Sequence, residues 1–369
     1  MRHPIWIWQQ PDWPNFTWNN QLILPLLTAT SKKQGELVGT LKALGFDMQL
    51  DTALENMTED LVRSSEIEGV LLNENHVRSS IARNLGLPNE GMPSPDHYTE
   101  GIVNVMMDAI RKAQEPITSD DIFRWHAALF PLGRSGGYKI TVAQWREGTE
   151  PMMIVSGALG KEKIHYIAPE SKDVSQLMEE LLNWVNTKDN TPDIIKSAIA
   201  HLWFVVIHPL DDGNGRIART ISDVLLSKSD GMPHRYYSMS AAILNRKKSY
   251  YEILEHTSMG SMDITEWLVW FLETLDHAIS DSLSRIECTL KKSQFWQRHA
   301  ENSFNDRQRK VINRMLDGIE GKMTTSKWAK MTHTSQPTAF RDIEDLINKR
   351  ILSKAEEGGR STNYILVDK

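Results

Sequence analysis

The chain has 369 residues, enough for two or three domains that each bury a core. It is 40% hydrophobic and 24% charged, with a net charge of −6 and no apolar run long enough to span a bilayer. The charge argues against a protein that coats nucleic acid with its whole surface, while leaving room for one local basic patch, and no membrane partner is expected. The single cysteine, Cys288, excludes an internal disulfide, and the start shows no apolar segment with a cleavage site. The expectation is a cytoplasmic protein.

Residues 1–18 carry Trp6, Trp8, Trp13 and Trp18 among Pro4, Pro11 and Pro14. Proline removes amide donors, so this reads as an extended arm whose rings need cover from the body or from a second copy. Leu22, Leu26, Leu37 and Leu41 predict a helix from Asn20 to Leu44. A second helix is predicted over 51–69, with Asp51 as N-cap and Gly69 just past its end. Residues 86–96 (GLPNEGMPSPD) read as a linker. Helices are predicted at 98–114 and 119–130. Residues 138–168 lean towards β, with Ile140–Trp145 and Ile164–Ile167 as the arms of a hairpin. Further helices are predicted at 173–187, 193–207, 215–228, 245–256 and 263–290. Residues 305–369 hold 13 Lys and Arg against 9 Asp and Glu. Three helices followed by two short strands around Gly358-Gly359-Arg360 predict a winged helix-turn-helix. The domain boundaries read as 1–90, 91–290 and 291–369, and the fold class as mainly α.

The stretch HPLDDGNGRIAR, from His208 to Arg219, concentrates the chemistry. An apolar helix should end at His208-Pro209, because proline disfavours helix at the residue before it. Gly213-Asn214-Gly215 then lets several backbone N–H groups face one concavity, at the positive end of the next helix. Such a site suits a phosphate. Arg216 and Arg219 share a helix face and can add forked contacts to phosphate oxygens. Asp212 beside an anion nest makes sense with Mg²⁺ between it and the phosphates. His208 at the mouth is the side chain best able to accept a proton near neutral pH. A base, a metal ligand, an anion nest and two clamps make a kit for phosphoryl or nucleotidyl transfer. His201, seven residues upstream, reads as a hydrogen-bonded core histidine more readily than as a second metal ligand.

This loop closely resembles the signature of the Fic family, His-x-Phe-x-Asp/Glu-Gly-Asn-Gly-Arg-x-x-Arg, with Leu210 where the family usually has Phe. With its flanking helices the resemblance covers about residues 95–275. It implies a helical core with a β-hairpin flap, and a protein adenylyltransferase that moves AMP from ATP to a Ser, Thr or Tyr hydroxyl of a protein. By the resemblance His208 is the general base, Asp212 holds Mg²⁺, and Gly213, Asn214 and Gly215 line the anion hole. Arg216 and Arg219 would bind the outer phosphates. Ile164, His165 and Tyr166 match the flap that aligns the target, and Tyr250-Tyr251 matches a pair near the nucleotide base. Where some relatives have an Asn soon after that pair, this chain has Ser258.

Ser64-Ser65-Glu66-Ile67-Glu68-Gly69 is similar to the family's inhibitory motif. It implies that Glu68, supported by Ser64, pairs with Arg219 and blocks productive ATP binding. Without the loop, a glutamate at a helix end reads as a solvated charge. The arm, the inhibitory helix, the core and the C-terminal module together resemble one bacterial Fic architecture. Its members often modify themselves and often form homodimers, and both are expected here. In the last module, Thr334, Ser335, Gln336, Thr338 and Arg341 can meet DNA, while Asp342, Glu344 and Asp345 on the same helix oppose it. Two other readings stay open: removal of AMP or transfer of another phosphate-containing group at the same site, and a DNA-binding regulator with a nucleotide-sensing core.

Overall fold

The computed structural model describes residues 6–88, 91–156, 163–355 and 362–367. They form two units, Met1–Ser282 and Leu283–Lys369. Among the described residues the structure is mainly helical, and its strands form three separate two-stranded antiparallel hairpins.

The first unit is built around α7 (Asp193–Ile207) and α8 (Asn214–Asp230). The text of α7 is apolar on all sides, and nearly every residue from Ile194 to Ile207 is buried, as a helix at the centre of a core must be. It packs chiefly on α8. Gly213, at φ +82°, opens α8, and Gly231, at φ +59°, closes it in the left-handed conformation.

Around this pair stand α1 (Asn20–Ala43), α2 (Phe46–Ile67), α3 (Glu74–Asn84), α4 (His97–Lys112), α5 (Ser119–Leu129) and α6 (Ser171–Asn186). Capping fixes several starts. Asn19 caps α1, Asp96 takes the Thr99 amide at 2.8 Å, and Thr118 and Asp121 bond reciprocally at α5. Helix α2 lies against α3 and α9 (Met239–Asn245). Helices α10 (Lys247–Ser258) and α11 (Thr265–Arg298) follow, and the boundary between the units falls within α11.

Several sequence expectations need correction. Helix α2 begins at Phe46 with Gly45 as N-cap, so Asp51 lies inside it. Helices α3 and α9 were not foreseen, and α11 runs further than 263–290. The β-leaning region does not pair Ile140–Trp145 with Ile164–Ile167. Instead β1 (Arg134–Ser135) pairs with β2 (Tyr138–Lys139), and β3 (Met153–Ser156) pairs with β4 (Lys163–Ile167). The segment between them is drawn onto the body: Ala143 takes φ +59°, Trp145 packs on Phe123, and Arg146 is buried. The flap loop 157–162, residues 1–5 and 89–90, and the Gly358-Gly359-Arg360 turn lie outside the described residues.

The body covers the aromatic arm. Trp6 stands edge-on to Tyr166 at 5.3 Å, the Trp8 indole donates to the Ile167 carbonyl at 2.9 Å, and Trp13 and Phe16 both meet Trp203.

The second unit has its own core, with Val311, Ile312, Trp328, Ile343 and Leu346 at its centre. Helices α12 (Asp306–Leu316), α13 (Thr325–Thr332) and α14 (Gln336–Asn348) precede β5 (Leu352–Lys354) and β6 (Tyr364–Leu366). Asp342 of α14 turns inward to a forked pair with Arg307 at 2.8 and 2.9 Å, and Asp345 pairs with Lys349 at 2.6 Å. Arg341 and Glu344 are exposed.

Candidate active site

The turn expected at His208-Pro209 is made by His208 itself, which leaves α7 at φ 50° and ψ 57°. Arg146 secures that turn. Its Nε donates to the His208 carbonyl at 2.8 Å, its amide donates to the Pro209 carbonyl at 2.8 Å, and its other nitrogens hold Ser171 Oγ and the Pro169 carbonyl. Leu210 is fully buried, so it serves as the core anchor of the loop. Asn214 staples the loop shut: its Nδ2 donates to the Leu210 carbonyl at 2.8 Å, and its Oδ1 accepts the Leu210 amide at 3.0 Å. A Cβ on Gly213 would come 2.9 Å from the Phe130 ring, and φ +82° disfavours a side chain there as well. His126 lies buried under the same glycine, its pKa lowered by burial.

His208 Nδ1 lies 3.3 Å from the Val205 carbonyl, an acceptor, so this nitrogen carries the proton and Nε2 keeps a lone pair. Burial lowers the His208 pKa to about 4, against a smaller upward pull from the Val205 bond. The ring is therefore neutral near pH 7, in the form a proton acceptor needs. Asp212 accepts the Gly213 amide at 2.6 Å and is hydrogen-bonded to Ser135 Oγ. Asp211 takes the Thr141 amide at 2.8 Å.

The two arginines face different neighbours. Arg216 lies over the Phe130 ring at 4.8 Å and donates to Tyr98 Oη at 3.3 Å. Arg219 Nε donates to Ser64 Oγ at 3.0 Å, and its Nη2 donates to the Ser64 carbonyl at 3.0 Å and to Glu68 Oε1 at 2.9 Å. Burial alone would lower the Arg219 pKa, but the Glu68 carboxylate outweighs it and holds the guanidinium above its usual value. Arg216 Nε and Arg219 Nη1 are buried and meet no partner among the described residues. Two buried guanidinium groups with unmet donors favour an anion between or beside them.

Glu68 already occupies part of that space. A Cβ on Gly215 would collide with its carboxylate. The end of α2 fixes this placement: the Val70 amide bonds the Ser65 carbonyl and the Gly69 amide bonds the Glu66 carbonyl, each at 3.0 Å, with Gly69 at φ +77°. That is a Schellman closure, and it orients Glu68 as the last residue of the turn.

Glu68, His208, Asp212, Gly213, Asn214 and Gly215 line one cavity of about 440 Å³. His165, Tyr166, Tyr250, Tyr251 and Ser258 line it too. Glu68, Asp212 and Arg216 also border a second cavity of about 530 Å³ with Arg134 and Ser135. Arg219 reaches the first cavity only through Glu68 and Gly215. Tyr166 is buried and donates to the Val206 carbonyl at 2.5 Å, while Ile164 is exposed. Tyr250 is buried, its hydroxyl 2.8 Å from His201 Nε2, and His201 Nδ1 is 3.1 Å from Ser222 Oγ. His201 is thus a hydrogen-bonded core residue, its pKa lowered by burial to about 3. Tyr251 is partly exposed, and its hydroxyl reaches the Ile67 carbonyl at 3.4 Å. Burial raises its pKa to about 12, helped by Glu68.

Among the described residues no three His, Cys, Asp or Glu side chains cluster to hold a metal, and no helix is long and apolar enough to cross a membrane. Sequence reasoning missed Arg146, His126 and Ser135. Their partners lie far along the chain, and no spacing or motif announces them.

Comparison with known proteins fits this geometry. Residues 6–87 match a domain of unknown function (DUF4172), and residues 116–226 match the Fic/DOC family. A protein adenylyltransferase of Caenorhabditis briggsae is 23% identical over 254 residues, which are 64% of this chain and 45% of that protein. One of Nematostella vectensis is 25% identical over 215 residues, 55% of this chain and 44% of that protein. The chain thus spans less than half the length of these relatives. Among solved structures, a Fic family protein from Desulfovibrio desulfuricans G20 aligns with a TM-score of 0.54 at 19% identity, covering 96% of this chain and 98% of that one. A Fic domain containing signaling protein from Bacteroides thetaiotaomicron aligns with a TM-score of 0.51 at 18% identity, covering 70% of this chain and 95% of that one. These two show a shared fold. Residues 116–226 thus match the Fic/DOC family, and that stretch contains the loop from His208 to Arg219.

Proposed function

We propose that the protein transfers AMP from ATP to a Ser, Thr or Tyr hydroxyl of a protein, and that Glu68 holds it in an inhibited state. The observation that carries this reading is the Glu68 carboxylate, 2.9 Å from Arg219 and lodged against Gly215 in the nest where a phosphate would sit. Relatives named protein adenylyltransferase support the reaction class.

In this reading the neutral His208 ring takes the proton of the acceptor hydroxyl. The hydroxyl oxygen bonds to the α-phosphorus, the bond from that phosphorus to the bridging oxygen breaks, and pyrophosphate leaves. The backbone N–H groups at 213–215 are fixed in advance by Asn214 and by the start of α8, so they stabilise the developing charge without rearranging. Arg216 and Arg219 hold the departing phosphates. Mg²⁺ needs only one or two carboxylates when phosphates supply the rest, and Asp212, with Asp211 beside it, fits that demand. The metal would neutralise phosphate charge there. ATP and a protein hydroxyl, including the chain's own, are the substrates.

The test compares wild type, Glu68→Gly and His208→Ala with Mg²⁺ and ATP labelled at the α- or the γ-phosphate. Retention of α-label alone on an added protein acceptor, stronger in Glu68→Gly and lost in His208→Ala, is the expected result. Retention of γ-label would make the protein a kinase. No label in any variant, with cell extract as acceptor, would reject transfer and favour AMP removal or nucleotide sensing.

A further inference from the structure

The flap holds a constellation that strand pairing does not require. In the β3–β4 hairpin Ile154 faces Tyr166 and Val155 faces Ile164, so His165 is the extra residue of a bulge. Bulges re-aim side chains and recur beside active sites. Here the His165 ring lies between Ser156 at the end of β3 and Glu255 on α10. Its Nε2 is 2.6 Å from Ser156 Oγ, and its Nδ1 is 2.8 Å from Glu255 Oε2. The other Glu255 oxygen accepts from Lys163 Nζ at 3.1 Å.

The hydrogen-bond roles follow from the partners. Partial burial pushes the Glu255 carboxyl up, but the bonds from His165 and Lys163 outweigh it and hold the group below its usual range. An ionised carboxylate only accepts, so His165 Nδ1 carries its proton. With Nδ1 donating to Glu255, Nε2 is the ring nitrogen that faces the Ser156 hydroxyl. An acid, an imidazole and a hydroxyl in this order, at these distances, form the arrangement that activates a serine as a nucleophile. Ser156 is exposed, and all three residues line the cavity that also contains His208 and Gly213–Gly215.

We propose that Ser156 is a self-modification site, its hydroxyl accepting AMP from ATP bound in this cavity, with His165 as its base and Glu255 as the residue that positions His165. This rests on the AMP-transfer reading above. Ser156 Oγ forms a bond to the α-phosphorus, the bond from that phosphorus to the bridging oxygen breaks, pyrophosphate leaves, and the serine proton passes to His165 Nε2. The product is AMP joined through a phosphodiester to the flap.

The test uses full-length Glu68→Gly protein with Mg²⁺ and α-labelled ATP, followed by trypsin and tandem mass spectrometry. The tryptic peptide 147–161 contains two hydroxyl side chains, Thr149 and Ser156, which fragmentation separates. AMP on Ser156, absent when Ser156→Ala is added, is the expected result. His165→Gln should lower labelling of Ser156 by about a hundredfold, the usual contribution of a positioned base. Labelling at other sites in the same sample serves as the reference. Glu255→Ala should lower it as well and Glu255→Asp restore most of it, which a residue that merely packs against the flap would not do. AMP found only elsewhere, with peptide 147–161 unmodified, overturns the Ser156 site and leaves AMP transfer standing. AMP on no protein at all, self or added, overturns both. Undiminished Ser156 labelling in His165→Gln overturns the role given to His165.

Discussion

His208 shows how one residue's surroundings set its chemistry. The left-handed turn at the end of α7 brings its ring back over the last helical carbonyls, where Val205 fixes the tautomer. Burial then lowers its pKa to about 4. Two consequences share a sign. The fold favours the neutral ring, so this contribution to stability is present above the unfolded value near 6.5 and is lost as pH falls from there towards 4. A ring that must be neutral to act as the proposed base stays competent over the same window. Labelling of an added protein acceptor by Glu68→Gly should therefore be flat between pH 7.5 and 6.5 and fall only below that. Removing the Glu68 charge, which pulls the His208 pKa up, moves the fall further down. The check is initial α-label incorporation against pH, with Tm recorded at each point. A half-maximal rate at pH 6.5 or above would contradict it. The loop was legible in the sequence because its residues form a contiguous motif. Arg146 was not: it acts through carbonyls 62 and 63 residues away, at His208 and Pro209, and its own neighbourhood reads only as β-leaning text. Glu255 was equally invisible, since a glutamate on a polar helix face differs in no way from its neighbours until the flap folds onto it.

Among the elements, α2 matters most, because it delivers Glu68. Asp60, Ser64 and Glu68 are spaced four apart and share one face. Ser64 and Glu68 hold Arg219, while Asp60 docks on the start of α9. The buried Asp60 Oδ1 accepts from Ser238 Oγ at 2.7 Å and from the Ser240 amide at 3.0 Å. Helix α2 is thus tied down two turns before the residue proposed to inhibit. Asp60→Ala leaves a buried hydroxyl and an amide without their acceptor, which costs about 1–3 kcal/mol. It should lower Tm and raise basal AMP transfer by freeing Glu68. Combined with Glu68→Gly, it should add no further activity, because both changes release the same contact. Additive activation in the double variant would show that Asp60 acts by another route. The existence of α2 and its glycine end were readable from an apolar stripe and from Gly69. Its true start was not, because Gly45 carries no side-chain cap and Asp51 looked like one. The hairpin misreading has a similar origin. Ile140–Trp145 has strand composition, yet burial of Arg146 and the Trp145–Phe123 contact draw it onto the body instead.

On the scale of the whole molecule, the question is how far the two units depend on each other. The loop from His208 to Arg219, helix α2 and the β3–β4 hairpin all lie in Met1–Ser282. Residues 283–369 bury their own apolar cluster and satisfy charges internally, as Asp342 does with Arg307. A chain with two cores need not unfold in one step. Trp328 is fully buried in the second core, and replacing such a side chain with Ala costs about 3–5 kcal/mol. Trp328→Ala should therefore shift one of two calorimetric transitions downwards by several degrees and leave the other in place. In the Glu68→Gly background it should leave the rate of α-label incorporation unchanged below the lower transition, since no residue of the proposed chemistry lies beyond Ser282. A single transition that moves as a whole would show that the units unfold together. A fall in labelling at a temperature where both transitions are intact would show that the second unit contributes to the reaction. The sequence marked this unit by its switch to a basic balance, but a charge count cannot show where those charges go. Much of the acidity of α14 is spent on Arg307 and Lys349 inside the unit, so any partner of that helix meets Arg341 and Glu344 instead.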